Sequence, residues 1–161
     1  MAFRVLVARR DSIPPHITLH EADLKLALAQ INTTVGDLAG NIARILDAAR
    51  QAPGADLIVF PEMTVPGYPP QDILYDPSFA EAVMEATKDL ARQAKGLPPM
   101  LVGSLAPSGR KLYLHPALHN IAYLIHDGEM RIAQVKQLLP VYDVFYEPRW
   151  FIPGEKTLPP I

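Results

Sequence analysis

The sequence predicts an α/β domain built on a mixed sheet, and three observations predict it. Apolar runs alternate between strand-like and helix-like spacing from residue 24 to residue 104. The stretch "HNIAYLIHDGEMRIAQVK", residues 119–136, is two strand-like runs joined by Asp127-Gly128, a pair that tolerates the positive φ of a tight hairpin. Finally, 161 residues, of which 49% are hydrophobic, suffice for one packed core and fall short of two.

Residues 1–22 end in "SIPPHITLHEA", with a Pro-Pro pair and no clear periodicity, so they are expected to form an extension of little defined structure. The domain proper then runs over 23–161. Leucines at alternate positions of "LKLALAQ" predict a first strand with Leu24, Leu26 and Leu28 on one face. Asp37, at the end of "NTTVGD", is placed to cap a helix whose apolar positions are Leu38, Ile42, Ile45, Leu46 and Ala49 and which stops near "QAPG". "DLIVF", residues 56–60, is a continuous apolar run, as expected of a strand covered on both faces. Phe79, Val83, Leu90 and Ala94 mark one face of a second helix from Pro77 to about Lys95, with Gly96 as its stop. "MLVGS", residues 100–104, is a third strand, completing βαβαβ ahead of the hairpin. Beyond Lys136, Pro140, Pro148 and Pro153 interrupt "QLLPVYDVFYEPRWFIPGEK", which reads as an ordered aromatic loop.

Composition narrows the function classes. Fifteen basic and 17 acidic residues, well mixed, provide no basic footprint for nucleic acid or an anionic membrane. The absence of cysteine rules out a disulfide framework and a thiolate metal site, and makes the cytosol the default compartment. No apolar run approaches the roughly 18 residues of a membrane span. The apolar patch in "MAFRVLVARR" is too short for a secretory signal, while an organellar-targeting role stays open.

Glu62 follows the apolar run of 56–60, where open α/β sheets place ligands and partial desolvation suits a general base. A structural ion pair or a loop cap is the plain alternative. Lys136, at the end of the second hairpin strand, is placed to stabilise negative charge on a substrate oxygen, or else is an ordinary solvated strand-end lysine. Facing one crevice, the two would supply an acid/base group and an oxyanion stabiliser, with no nucleophile beside them. Glu147 has Arg149 as a near neighbour and reads as its salt-bridge partner unless the loop folds over the crevice. The cluster Tyr142, Phe145, Tyr146, Trp150 and Phe151 reads as a packed lid. His16, His20, His115, His119 and His126 show no metal-ligand spacing, so no metal is assigned. Gly36, Gly40, Gly67 and Gly103 form no phosphate-cradling motif.

Three stretches, "LALAQINTTVGDLAGN" at 26–41, "DLIVFPEMTVPGYPPQDIL" at 56–74 and "KQLLPVYDVFYEPRWFIPG" at 136–154, closely resemble the nitrilase superfamily. More narrowly they resemble its glutamine amidotransferase branch, the N-terminal domains that feed ammonia to NAD+ synthetases. The resemblance implies a four-layer αββα sandwich, of which this sequence holds a part. It also implies a catalytic set of Glu62 as base, Lys136 as oxyanion stabiliser and Glu147 as an orienting carboxylate. Tyr142, Tyr68 and Phe145 fall where the glutamine pocket is lined. The family's nucleophile is a cysteine beyond the position of Pro153-Gly154, and this sequence contains none, so the chain alone is expected to be an inactive fragment. An uncovered apolar sheet edge and face would then favour a partner chain or homo-oligomer. The amidase part needs no cofactor, whereas ATP and Mg belong to the C-terminal synthetase domain that such a chain would serve. A stand-alone carbon-nitrogen hydrolase and a non-catalytic interaction module are the rival readings.

Overall fold

The computed structural model describes residues 5–7, 24–113 and 115–155. They form a six-stranded mixed sheet: β1 (Val5–Val7), β2 (Leu26–Ala29), β3 (Leu57–Val59), β4 (Met100–Leu112), β5 (His115–His126) and β6 (Glu129–Val135). Spatial order equals sequence order. β2, β3 and β4 run parallel, and β1 and the β4–β5–β6 meander pair antiparallel. Within the segment expected to lack defined structure, Val5–Val7 is thus an edge strand against β2; the remainder of residues 1–22 lies outside the described residues.

Two helices connect the parallel strands, α1 (Leu38–Arg50) and α2 (Pro77–Gln93). Asp37 caps α1 by accepting from Gly40 N, and Asp76 caps α2 by accepting from Ser78 N, with Pro77 in the first turn. Gly96 takes a φ of 80° just beyond α2. Successive right-handed crossovers that step in one direction along a sheet place both helices on the same face. That face carries the core: Ile45 and Leu90 from the helices meet Ile58, Met100, Val102 and Ile125 from the strands, all at 1% exposure or less.

The other sheet face has no helix layer among the described residues, and this corrects one expectation and orients another strand. Ile58 is buried while its neighbours Leu57 and Val59 are only half-buried, so β3 is not covered on both sides. In β2 the leucine face is the outer one: Ala27 and Ala29 are buried, whereas Leu28, and Leu24 just before the strand, are 42% and 57% exposed. Alternation reveals that two faces differ but not which one a close-packed helix will cover, and a helix lying tight on a strand selects alanine beneath it.

The third strand extends well beyond "MLVGS": β4 reaches Leu112 and pairs with β5 along a long hairpin whose register shifts between Pro107 and Lys111. The β5–β6 turn is as expected, with Asp127 and Gly128 at φ values of 48° and 85°.

Candidate active site

Glu62 lies just past the carboxyl end of β3, and four constraints fix its loop. Phe60 N donates to Leu101 O at 2.9 Å, keeping the chain against β4, and Val65 N donates to Gly103 O at 3.1 Å. The turn between them crosses β4 over Gly103, where a Cβ would stand 2.5 Å from both Met63 N and Pro61 O, so only glycine admits the crossing. Met63 is fully buried and has a φ of 50°, a strained backbone held by its packed side chain immediately after the glutamate. Finally, buried Asn41 on α1 donates to Val65 O at 3.0 Å and Thr34 O at 2.8 Å and accepts from Thr34 N at 2.9 Å, knitting the loop to the segment before α1.

Lys136 arrives from the other side. Its N–H donates to Asn120 O at 2.8 Å, and its carbonyl accepts from Gly154 N at 3.0 Å, so the backbone is held at the end of β6. Its Nζ lies 2.8 Å from Glu62 Oε1 and 3.0 Å from each oxygen of Glu147, with the hydrogen bond to Glu147 directed at Oε1. Burial pulls the Lys136 ammonium toward its neutral form, and the hydrogen bonds and charges of Glu62 and Glu147 outweigh it, so its pKa is raised. The convergence of residues 62 and 136 on one crevice, expected from the sequence, is what the structure shows.

Glu147 opens a 3-10 turn (Glu147–Arg149) and is 4% exposed, its N–H donating to Pro140 O at 3.1 Å. It pairs with Lys136, correcting the local salt-bridge reading. Arg149 instead reaches Asp72 at 3.6 Å and donates to Tyr75 OH at 2.6 Å. The aromatic loop does fold over the crevice, which is why the distant lysine wins over the near arginine. Tyr68 OH donates to Glu147 Oε1 at 3.3 Å. Desolvation, then the charges of Glu147 and Glu62, push its pKa to about 12, so it stays a donor at any ordinary pH.

Glu62, Lys136, Glu147 and Tyr68 therefore form one contiguous set. Phe145 sits beside it, 6.4 Å from Tyr68 between ring centroids, and the two help line a cavity of about 70 Å³ with Glu147 and Trp150. Tyr142 does not join the set: it is 68% exposed and touches Phe145 edge-on at 5.5 Å. A second hollow of about 260 Å³ lies on the open sheet face, bounded by Phe60, Glu62, Leu101, Gly103, Ala122 and Lys136. Asn120, which also lines it, donates from Nδ2 to Glu62 Oε1 at 2.5 Å. Sequence reasoning passed over this residue, whose one signal is a lone amide inside the apolar run of β5. Ser104 is buried under α2 against Thr87 Oγ1 at 3.1 Å, away from the crevice and unsuited to act as a nucleophile there.

A base, a charged donor and a hydrogen-bonded second carboxylate around one hollow fit attack on a carbonyl carbon, with Glu62 moving protons and Lys136 holding the developing oxyanion. Known proteins resemble the chain in sequence and fold. The sequence profile of the carbon-nitrogen hydrolase family matches residues 25–161. Glutamine-dependent NAD(+) synthetase from Synechocystis is 41% identical over 140 residues, covering 82% of this chain and 24% of the relative. That from Thermotoga maritima is 36% identical over 137 residues, covering 84% and 23%. The chain thus spans about a quarter of the length of these curated relatives. Among solved structures, the glutamine-dependent NAD+ synthetase of Acinetobacter baumannii superposes with a TM-score of 0.70 at 32% identity, covering 84% of this chain and 25% of the other. An amidase from Nesterenkonia sp. superposes with a TM-score of 0.62 at 26% identity, covering 84% and 50%. From the profile match and the shared fold together, the chain belongs to the carbon-nitrogen hydrolase family.

Proposed function

We propose that the chain is the first part of the glutaminase domain of a glutamine-dependent NAD+ synthetase, in which Glu62, Lys136 and Glu147 serve hydrolysis of the glutamine side-chain amide. Lys136 Nζ shared between Glu62 Oε1 at 2.8 Å and Glu147 at 3.0 Å is the observation that carries the reading. The matched synthetases supply the substrate class.

Glu62 takes the proton of an attacking thiol as the S–C bond forms and the carbonyl electron pair moves onto oxygen, where Lys136 stabilises it. Collapse of that intermediate expels ammonia, protonated by Glu62. Water, deprotonated by the same carboxylate, then cleaves the thioester to glutamate and regenerates the thiol. The sequence contains no cysteine, so the thiol is supplied from outside these 161 residues and the chain alone releases no ammonia. Ammonia would pass to a synthetase domain that uses ATP and Mg to amidate nicotinic acid adenine dinucleotide, in a soluble, cytoplasmic homo-oligomer. No helix among the described residues is long and apolar enough to cross a membrane.

The test is a chimera of the Synechocystis synthetase in which residues 25–155 of this chain replace the matching segment. Ammonia release from glutamine is expected, with Glu62→Ala and Lys136→Ala each lowering it by about a hundredfold or more. Variants as active as the parent chimera would overturn the role assignments. A stand-alone amidase is the second reading, favoured by the Nesterenkonia superposition. Turnover of simple aliphatic amides in preference to glutamine would select it.

A further inference from the structure

We propose that Asn120 is a positioning residue for the base, acting with Lys136 to occupy one oxygen of Glu62 so that the other, Oε2, is the oxygen that takes the proton. This rests on the reading of Glu62 as general base. Two donors converge on Oε1, the Asn120 amide and the Lys136 ammonium, and no described residue donates to Oε2. A carboxylate held by two donors at one oxygen cannot rotate freely about its last torsion, so its second oxygen keeps a fixed direction toward the hollow that Asn120 also lines.

The backbone makes Asn120 suited to this. It is 4% exposed, its carbonyl accepts from Lys136 N at 2.8 Å, and it is paired in register with Leu105 on β4. One residue of β5 thereby sets both the height of the lysine and the rotation of the glutamate. The amide brings no charge, so it orients Glu62 without competing for the proton, which a second lysine or a carboxylic acid in its place would do. The other titratable groups around Glu62 are Lys136 at the end of β6, Glu147 in the 3-10 turn and Tyr68 in the loop before α2. None of them lies on β5, so a change at residue 120 isolates the amide.

The measurement is a 13C titration of glutamate side-chain carboxyls in this chain, with the Glu62 signal assigned by its loss in Glu62→Gln. Removing a donor from an ionised carboxylate makes it hold its proton to higher pH, so Asn120→Ala is expected to raise the Glu62 midpoint by about one pH unit. The isosteric Asn120→Asp, which puts a like charge in place of the donor, is expected to raise it further. In the chimera, the acid limb of the ammonia-release profile should move the same way, with kcat falling about tenfold and KM for glutamine little changed. An unchanged Glu62 midpoint in both variants overturns the proposal whatever the chimera does. If Asn120→Ala does not fold, Asn120→Leu, which removes the donor at similar volume and adds no charge, decides in its place. An inactive chimera with a shifted midpoint would sink the glutaminase reading and leave the role of Asn120 standing.

Discussion

Replacing Asn41 with alanine removes three hydrogen bonds to backbone groups, and a fourth accepted from Arg44 Nη1 at 3.3 Å, at a position that is fully buried. Of the backbone bonds, the two to the Thr34 N–H and carbonyl tie α1 to the loop before it, while the one to the Val65 carbonyl crosses to the segment carrying Glu62. At a net contribution of about 1 kcal/mol per bond, their loss costs about 3 kcal/mol, and more if the freed backbone groups stay dry. A small cavity adds to this. With a urea m-value of about 1.5 to 2 kcal/mol/M for a chain of this size, the unfolding midpoint should drop by about 1.5 to 2 M at unchanged m. Asn41→Asp keeps the volume but turns an oxygen toward two carbonyls, and should cost at least as much. Both follow from urea unfolding watched by far-UV circular dichroism. A loss below about 1 kcal/mol for the alanine variant would refute the idea that this amide ties the two loops together.

Three further outcomes are expected. Gly103→Ala forces its Cβ into the backbone of Pro61–Met63 and should cost about 1 to 3 kcal/mol, with an altered Glu62 titration; an unperturbed titration would mean that the crossing is not tight. Lys136→Met leaves the buried Glu147 without its cation and should cost about 3 kcal/mol at neutral pH, less as pH falls and an unpaired buried carboxylate takes up a proton; equal loss at pH 5 and pH 8 would contradict this. On the alkaline side, Lys136 is raised above 10.5 and Tyr68 from 10.0 to about 12, so both contribute stability that is complete below the unfolded values and is lost as pH rises through the folded ones. Urea midpoints should hold level from pH 8 to 10 and fall toward pH 12, a decline that Tyr68→Phe makes shallower.

How much of this was legible in the sequence depended on the range of the interaction that decides each feature. Asp37, Pro77 and the Asp127-Gly128 turn act on their immediate neighbours, and they fall where the sequence puts them. The leucine spacing in the first strand gives the two faces but not which one is covered, and the tight approach of the helix layer favours Ala27 and Ala29 over Leu24 and Leu28. The far half of β4 was missed because Pro107, Ser108 and Gly109 break the apolar pattern while pairing with β5 resumes beyond them. In the crevice, Glu62 and Lys136 could be placed by their strand ends and by family motifs. Glu147 was misread from its neighbourhood, since only the folded loop reveals that a lysine 11 residues back lies closer than the arginine two residues on. Asn120 acts on a residue 58 positions away, a relation that no local pattern encodes.

One lysine between two carboxylates leaves the cluster with an excess of negative charge, and the phenol above it stays neutral to about pH 12. An uncharged amide can approach such a centre without electrostatic opposition. Under the proposed reaction the acid it would become could not remain there on equal terms: an anion would then stand beside groups of its own sign, and the crevice would favour its departure.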